Sequence, residues 1–513
     1  MPPPTGPPLA RPQGVPTRTL AEVAEHLDVA LPAGADAATD VTGITSDSRA
    51  VRPGDLYAAL PGTTVHGARF VTAARDLGAV AVLTDPAGAE LARSAGPEMF
   101  VLADPRSVLG GLAAWVYGEP SRDLQVIGVT GTNGKTTTAY LVEAGLRAAG
   151  HTTGLVGTIE TRIADEQVPS VRTTPEAPDL QALFAVMRER GVGAVAMEVS
   201  SHALALGRVD GTSYDVVVFT NLSEDHLDFH ADLEDYFAAK ARLFTTGWAR
   251  VGVVNIDDPY GERLAAAATI PMVTVSPSGR AGAAWRAEKV EVSGAGSTFR
   301  LTGPAGLVVD GGTALAGSFN VENAVLAVVA LAQTGADLAT AAKGVADCPG
   351  VPGRMERVAA GQEFQALVDY AHSPDALERL LATARELVGS RSGRVLLVVG
   401  CGGDRDPYKR AVMGEIAARD ADVAVLTNDN PRSEDPMAIL AALKEGAARA
   451  GDRAVVEVVP DRRAAIEKAV GMAEADDVVV VAGKGHEQGQ EIDGVVHPFD
   501  DRQVLRAAIA AVR

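Results

Sequence analysis

One stretch constrains the fold of this chain more than any other: Val126-Ile127-Gly128-Val129-Thr130-Gly131-Thr132-Asn133-Gly134-Lys135-Thr136-Thr137-Thr138. The apolar run Leu124 to Val129 reads as a buried strand, and Ala139 to Leu146 reads as a helix. Between them Gly131, Thr132, Asn133 and Gly134 form a turn whose backbone N–H groups can approach phosphate oxygens closely. The helix N-terminus adds about half a positive charge there. Lys135 would reach the outer phosphates, and Thr136, followed by Thr137, would hold Mg²⁺. The usual pattern places a glycine five residues before the last one, where this chain has Val129. A flexible turn ahead of an ordinary helix is the plainer alternative. The preceding strand, the following helix and the placement of Lys-Thr argue against it.

At 513 residues the chain has room for roughly three domains of ~150 residues each. With 47% hydrophobic and 22% charged residues, it is suited to well-cored α/β domains. A formal charge of −20 argues against a nucleic-acid or anionic-membrane partner, so anionic substrates must meet local arginines and lysines. The two cysteines, Cys348 and Cys401, match no metal spacing, and a reduced, cytoplasmic setting is expected. Residues 1–16 begin with a proline-rich run that lacks a signal peptide's apolar core, and they read as a disordered leader. No apolar run is long enough to span a bilayer.

Residues 17–120 read as a small N-terminal α/β domain, with a polar turn at Ser46-Asp47-Ser48-Arg49 and a loop at His66-Gly67-Ala68. Residues 121–349 read as a doubly wound sheet around the phosphate loop, with further strands near 153–157, 194–199, 216–220, 251–256 and 272–275. Ligands of such sheets bind at the carboxyl ends of the strands. There Glu198 is placed for magnesium, followed by Ser200, and Asn221 to His230 crowds acids around His226. By helical pattern alone Lys240 is a surface lysine. Asn320 or Asn323, opening an apolar helix, could cap it or meet a nucleotide. The Gly- and Pro-rich segment Cys348 to Glu356 reads as a linker, and its Arg354 could stabilise a transferring phosphoryl group.

Residues 350–513 again alternate strand and helix, as a Rossmann-like domain. Its strand ends carry Asp369 to Pro374, Gly402 to Asp406, Asn428 to Arg432 and Gly483 to Glu487. Four polar loops at corresponding strand ends make one rim, suited to a zwitterion: arginine for a carboxylate, acid for an ammonium.

Together these residues resemble the Mur ligases, the ATP-dependent enzymes that build the peptide of bacterial cell-wall precursors. Gly131-Thr132-Asn133-Gly134-Lys135-Thr136 is similar to that family's own phosphate loop. Asp429-Asn430-Pro431-Arg432, with Gly483 to Glu487, resembles the motifs of the member that adds meso-diaminopimelate as third residue. The resemblance implies ATP and Mg²⁺ as cofactors, with Thr136, Glu198 and His226 around the metal. It implies that Lys240 is carbamylated by CO₂ and binds a second magnesium. Asn320, Arg354, Asp369 and His372 would surround ATP. Ser46, Ser48, His66, Gly67, Ala68, Thr173, Thr174, Ser200 and Arg208 would hold a UDP-N-acetylmuramoyl dipeptide. Arg405, Asp429, Asn430, Pro431, Arg432, Gly483 and Glu487 would hold the amino acid. Arg172 departs from the asparagine found before Thr-Thr in many relatives, and Leu206 from a glutamine in some. The implied reaction is ATP-dependent amide ligation through an acyl phosphate, with Lys135, His226, Lys240 and Arg354 as the catalytic set, by a monomer. Lysine or LL-diaminopimelate as the amino acid, a folate acceptor, and a nucleotide-binding regulator without ligation remain the alternatives.

Overall fold

A computed structural model describes residues 11–512 of the chain, apart from positions 63, 97, 171, 294, 295, 390 and 391. Residues 1–10 of the expected leader lie outside the described residues. Residues 11–16 differ from that expectation, because they are docked. Arg11 bonds the Tyr117 hydroxyl at 2.6 Å and pairs with Asp55 at 3.2 Å. The backbone N–H groups of Gln13 and Gly14 donate to the Glu189 carboxylate. Pairing a guanidinium with a buried carboxylate removes the cost of leaving either alone.

The first domain is a four-stranded parallel sheet, Gly43–Thr45, Asp55–Ala58, Ala81–Thr84 and Met99–Val101, in chain order. The helix Pro105–Val116 covers it, packing Leu109, Leu112 and Val116 into the sheet's apolar face. The helix Leu20–His26 starts at a capping box, in which the Thr19 hydroxyl and the Glu22 carboxylate satisfy each other's backbone N–H.

The central sheet has eleven strands. Gln125–Thr130 sits between Ala194–Glu198 and Tyr214–Phe219, parallel to both. Side-chain alternation explains why the segment needed to be apolar throughout. Ile127 and Val129 enter the core beneath the helices Lys135–Ala148 and Ser318–Ala332, while Val126 enters the opposite core beneath Ala177–Glu189. The chain leaves Gln125–Thr130 towards Thr153–Val156 on one side and later adds Tyr214–Phe219 and Ala249–Asn255 on the other. The phosphate loop therefore lies at the point where strand order reverses, the usual place for a ligand crevice. Antiparallel strands extend both edges: Glu160–Ile163 and Glu166–Pro169 on one, Gly296–Thr302 and Val308–Thr313 on the other.

The third domain holds a six-stranded sheet ordered Glu356–Arg357, Gln365–Asp369, Val478–Ala482, Val395–Cys401, Val423–Asn428 and Val455–Val458, parallel except at the first strand. A hairpin, Gly489–Ile492 with Val495–Pro498, stands beside it. The expected linker is packed rather than loose. A Cβ on Gly353, at φ +65°, would meet the His486 backbone nitrogen at 2.1 Å, so only glycine allows that approach. No helix among the described residues is long and apolar enough to cross a membrane.

Candidate active site

The phosphate loop takes its shape from two glycines. Gly131 has φ +148°, and a Cβ there would lie 1.9 Å from Thr220 Oγ1; Gly134 has φ +86°, and a Cβ would lie 2.3 Å from Asn323 Oδ1. The helix Lys135–Ala148 begins directly after the turn, aiming its free N–H groups into the crevice. Lys135 Nζ donates to the carbonyls of Gly131 at 2.8 Å and Thr132 at 2.7 Å. Burial lowers its pKa, against the opposing pull of Glu198 and Asp225.

Glu198 ends its strand fully buried. Its carboxylate accepts from Thr136 Oγ1 at 2.9 Å, the Thr158 N–H at 2.7 Å and Thr158 Oγ1 at 3.0 Å. Arg354 reaches across from the third domain, donating to Thr136 Oγ1 at 3.2 Å with its guanidinium over the Tyr370 ring at 4.5 Å. Lys135, Thr136, Glu198, His226, Lys240 and Arg354 thus line one cavity, together with Thr132, Asn133, Gly134 and Thr137.

Lys240 is not at the surface. Its side chain turns inward, 1% exposed, with Nζ donating to the Gly131 carbonyl at 2.8 Å and lying 4.4 Å from the Tyr236 ring centroid. Burial, then the neighbouring Lys135 charge, drives its pKa well below the ordinary lysine range. A helical pattern shows which positions share a face but not which face the loops behind it cover. His226 sits at φ +57° in the loop that precedes the helix Leu233–Ala241, 4.8 Å from the His202 ring. Burial pushes its pKa down to about 4, while Asp225 opposes the shift.

Asn320 is placed differently from expectation. It is buried behind the cavity wall, donating to Ala316 O at 2.8 Å and accepting from Asn323, and Asn323 lines the cavity in its stead. Asp369 accepts from the Met355 and Ala371 N–H groups, and burial raises its pKa. His372 also lines the cavity, with Nδ1 at 2.8 Å from Tyr370 O.

A second cavity opens over the rim of the third domain. Arg405, Asp429, Asn430, Arg432, Gly483 and Glu487 line it. Pro431 is not in its wall, but its carbonyl would lie 1.9 Å from a Cβ on Gly403 and so sets the approach of the two loops. Asp225, His226, Tyr370, His372 and Ser373 belong to the walls of both cavities, which therefore adjoin.

Among residues expected at a UDP-dipeptide site, Thr173 and Ser200 line the first cavity, and Thr174 Oγ1 donates to Glu198 O at 2.9 Å. Arg208 is drawn to Glu176 at 2.9 Å, with Arg106 on the same carboxylate. Ser46, Ser48, His66, Gly67 and Ala68 border neither cavity. His66 instead caps the turn Gly67–Phe70 through Nδ1 and meets Asp85 through Nε2 at 3.0 Å.

Several contributors escaped the sequence reading. Thr158, which clasps Glu198, carries no local signal. Asp375, in the first turn of Pro374–Val388, accepts from Asn133 Nδ2 at 2.7 Å and Ser223 Oγ at 3.0 Å, tying the third domain to the phosphate loop. The fully buried Arg462 pairs with Asp501 at 2.7 Å and donates to the Ala482 carbonyl.

Residues 40–117, 129–331 and 353–485 match, respectively, the Mur ligase family catalytic domain, the Mur ligase middle domain and the Mur ligase glutamate ligase domain. The UDP-N-acetylmuramoyl-L-alanyl-D-glutamate–2,6-diaminopimelate ligase of Streptomyces coelicolor is 60% identical over 506 residues, covering 98% of each chain. Its namesake in Corynebacterium glutamicum is 48% identical over 490 residues, covering 93% of this chain and 94% of its own. A solved structure of a ligase of that name superposes with TM-score 0.68 at 34% identity, covering 97% of this chain and 99% of that one. Three domains matched in sequence, and relatives alike from end to end, establish that this chain belongs to the Mur ligase family.

Proposed function

We propose that this protein is an ATP-dependent ligase that joins diaminopimelate, in its meso form, to the glutamate of UDP-N-acetylmuramoyl-L-alanyl-D-glutamate in peptidoglycan synthesis. One observation carries the reading: the phosphate-loop cavity and the zwitterion rim share a wall, so a group activated over the loop lies beside the amine that would capture it.

The residues present fit magnesium. Thr136 and Glu198 offer hard oxygen donors, and no three His, Cys, Asp or Glu converge as a cage among the described residues. That suits a metal that keeps waters and phosphate oxygens as its other ligands. When bound, magnesium offsets the charge on the β- and γ-phosphates. Lys135, released from its two carbonyls, and Arg354 meet the charge that develops as the substrate carboxylate attacks the γ-phosphate. The bond from the γ-phosphorus to the bridging oxygen breaks, ADP leaves, and the carboxylate becomes an acyl phosphate. The amine then attacks its carbonyl carbon, releasing phosphate and forming the amide. Docking of the third domain through Asp375 and Arg354 keeps water from the acyl phosphate.

Lys240 fits carbamylation. CO₂ reacts with a neutral amine, and burial favours the neutral form of this one. The carbamate would place an anion beside His226 and Lys135 for a second metal.

A phosphate-release assay with ATP, the UDP-dipeptide and each candidate amino acid tests the function. Release that depends on diaminopimelate is expected. Release with lysine alone would overturn the assignment of the amino acid, and ATP binding without any dependence on an amino acid would overturn ligation.

A further inference from the structure

Beneath the rim of the third domain lies a lysine that stands behind the cavity wall yet fixes what the wall presents. Lys484 is 0% exposed. Its Nζ donates to Asn430 Oδ1 at 2.9 Å and Glu487 Oε2 at 2.9 Å, and lies 3.8 Å from Asp429 Oδ1. All three acceptors belong to residues that line the cavity.

The consequence for Asn430 follows from its donor and acceptor count. Its Oδ1 accepts from Lys484 Nζ and from the Glu491 backbone N–H at 3.0 Å. Turning the amide over would set its NH₂ against both of these donors. The amide is therefore held with Nδ2 towards Glu487, one hydrogen going to Oε2 at 3.0 Å and the other making no hydrogen bond among the described residues. Glu487 is pinned through the same Oε2, and its Oε1 makes no hydrogen bond among the described residues. Beside them, Arg432 is anchored by Gly403 O and Glu491. The pocket thus offers a fixed donor, a fixed carboxylate oxygen and a guanidinium.

We infer that Lys484 is a specificity-determining, positioning residue: by locking the Asn430 amide and the Glu487 carboxylate, it makes the pocket read a carboxylate and an ammonium together. This rests on the reading of the rim as the diamino-acid site. Diaminopimelate carries both groups at its far end, whereas lysine carries the ammonium alone. Without the Nζ, the Asn430 amide loses one of the two donors that orient it, and Glu487 is free to swing.

The test is the ratio of kcat/KM for diaminopimelate to that for lysine, measured in wild type and Lys484→Met. The ratio should fall about tenfold or more, the scale of a lost hydrogen bond to a charged group. KM for ATP and for the UDP-dipeptide should stay within about twofold. A ratio that stays within threefold of wild type overturns the inference. So does a parallel rise in every KM, which marks a merely structural lysine. Should Lys484→Met fail to fold, Lys484→Gln, which removes the charge but keeps a polar amide in its place, is read by the same ratio. A wild type showing no amino-acid-dependent phosphate release would instead remove the ligase reading itself, a separate result.

Discussion

The central and third domains each bury a lysine ammonium beside the cleft, and they treat it in opposite ways. Lys240, together with its neighbour Lys135, donates to backbone carbonyls, and neither ammonium forms an ion pair among the described residues. Burial lowers the pKa of both. Lys484 is just as deeply buried but faces Glu487 and Asp429, and nearby the fully buried Arg462 faces Asp501. The central site therefore leaves its lysine nitrogens to backbone carbonyls, ready for an incoming anion such as a phosphate, while Glu198, Asp225, Glu322 and Asp369 in the same wall balance its cations. In the third-domain rim the buried cations are instead paired with carboxylates, which fixes the geometry of the side chains it presents. On the proposed function, two lobes of one cleft would divide the labour: one would supply electrostatic stabilisation, the other selection.

The strongest way to break this contrast is Lys135→Ala. It should lower kcat by about 10³-fold or more in the phosphate-release assay, because a cation aimed at the developing charge is lost. A variant that keeps a tenth of wild-type turnover would show that the Lys135 ammonium does no catalytic work.

The same substitution at the two buried lysines should move stability in opposite directions. Lys484→Met strands two carboxylates and should cost ~3–5 kcal/mol in denaturant unfolding. Lys240→Met replaces a buried amine, whose charged form the fold disfavours, with an apolar side chain and should raise stability by about 1 kcal/mol while abolishing turnover. Added short-chain carboxylates should partly restore the activity of Lys240→Ala if a carbamate matters. Stability changes of the same sign would dissolve the comparison.

Arg432→Ala sharpens the selective side. It should raise KM for diaminopimelate about 10- to 100-fold while leaving KM for ATP nearly unchanged. Equal effects on both would place Arg432 outside the amino-acid pocket.

The smallest expected effect is a pH slope. The unfolded chain holds the Lys240 proton up to about pH 10.4, and the folded chain gives it up at lower pH. Unfolded protein therefore binds more protons across that window, and stability rises with pH through it. In CO₂-free buffer, Tm of the wild type should climb between pH 7 and pH 10 more steeply than that of Lys240→Met. Lys135 supplies the remaining slope. Parallel slopes would mean that the Lys240 ammonium is not disfavoured by the fold.

Much of this was legible before any coordinates. The phosphate loop, the parallel strands of both large domains and the four polar strand ends announce themselves because each depends on local pattern: apolar runs, glycines and the residue types next to them. The antiparallel edge strands did not: Trp285–Ser293, which pairs with Gly296–Thr302, alternates apolar and polar residues, but its register shifts between Glu288 and Glu291 and its outer half is exposed. Lys240 was misplaced for a related reason. Periodicity assigns it to a helix face, and only the loop of His226 and the phosphate turn, folded over that face, bury it. Asn320 and Asn323, one turn apart, could not be ranked until the cavity wall showed which one stands in front.

Sequence alone determined the chemistry available to this protein: a glycine cradle with Lys-Thr, a strand-end glutamate, and loops mixing arginines with acids. Those are properties of residues close together in the chain, where spacing alone dictates geometry. Tertiary structure decided which cations face carbonyls and which face carboxylates, because burial, hydrogen bonding and ion pairing join residues far apart in the chain, as Lys240 and the Gly131 carbonyl are joined across 109 positions, through a core that no local pattern describes.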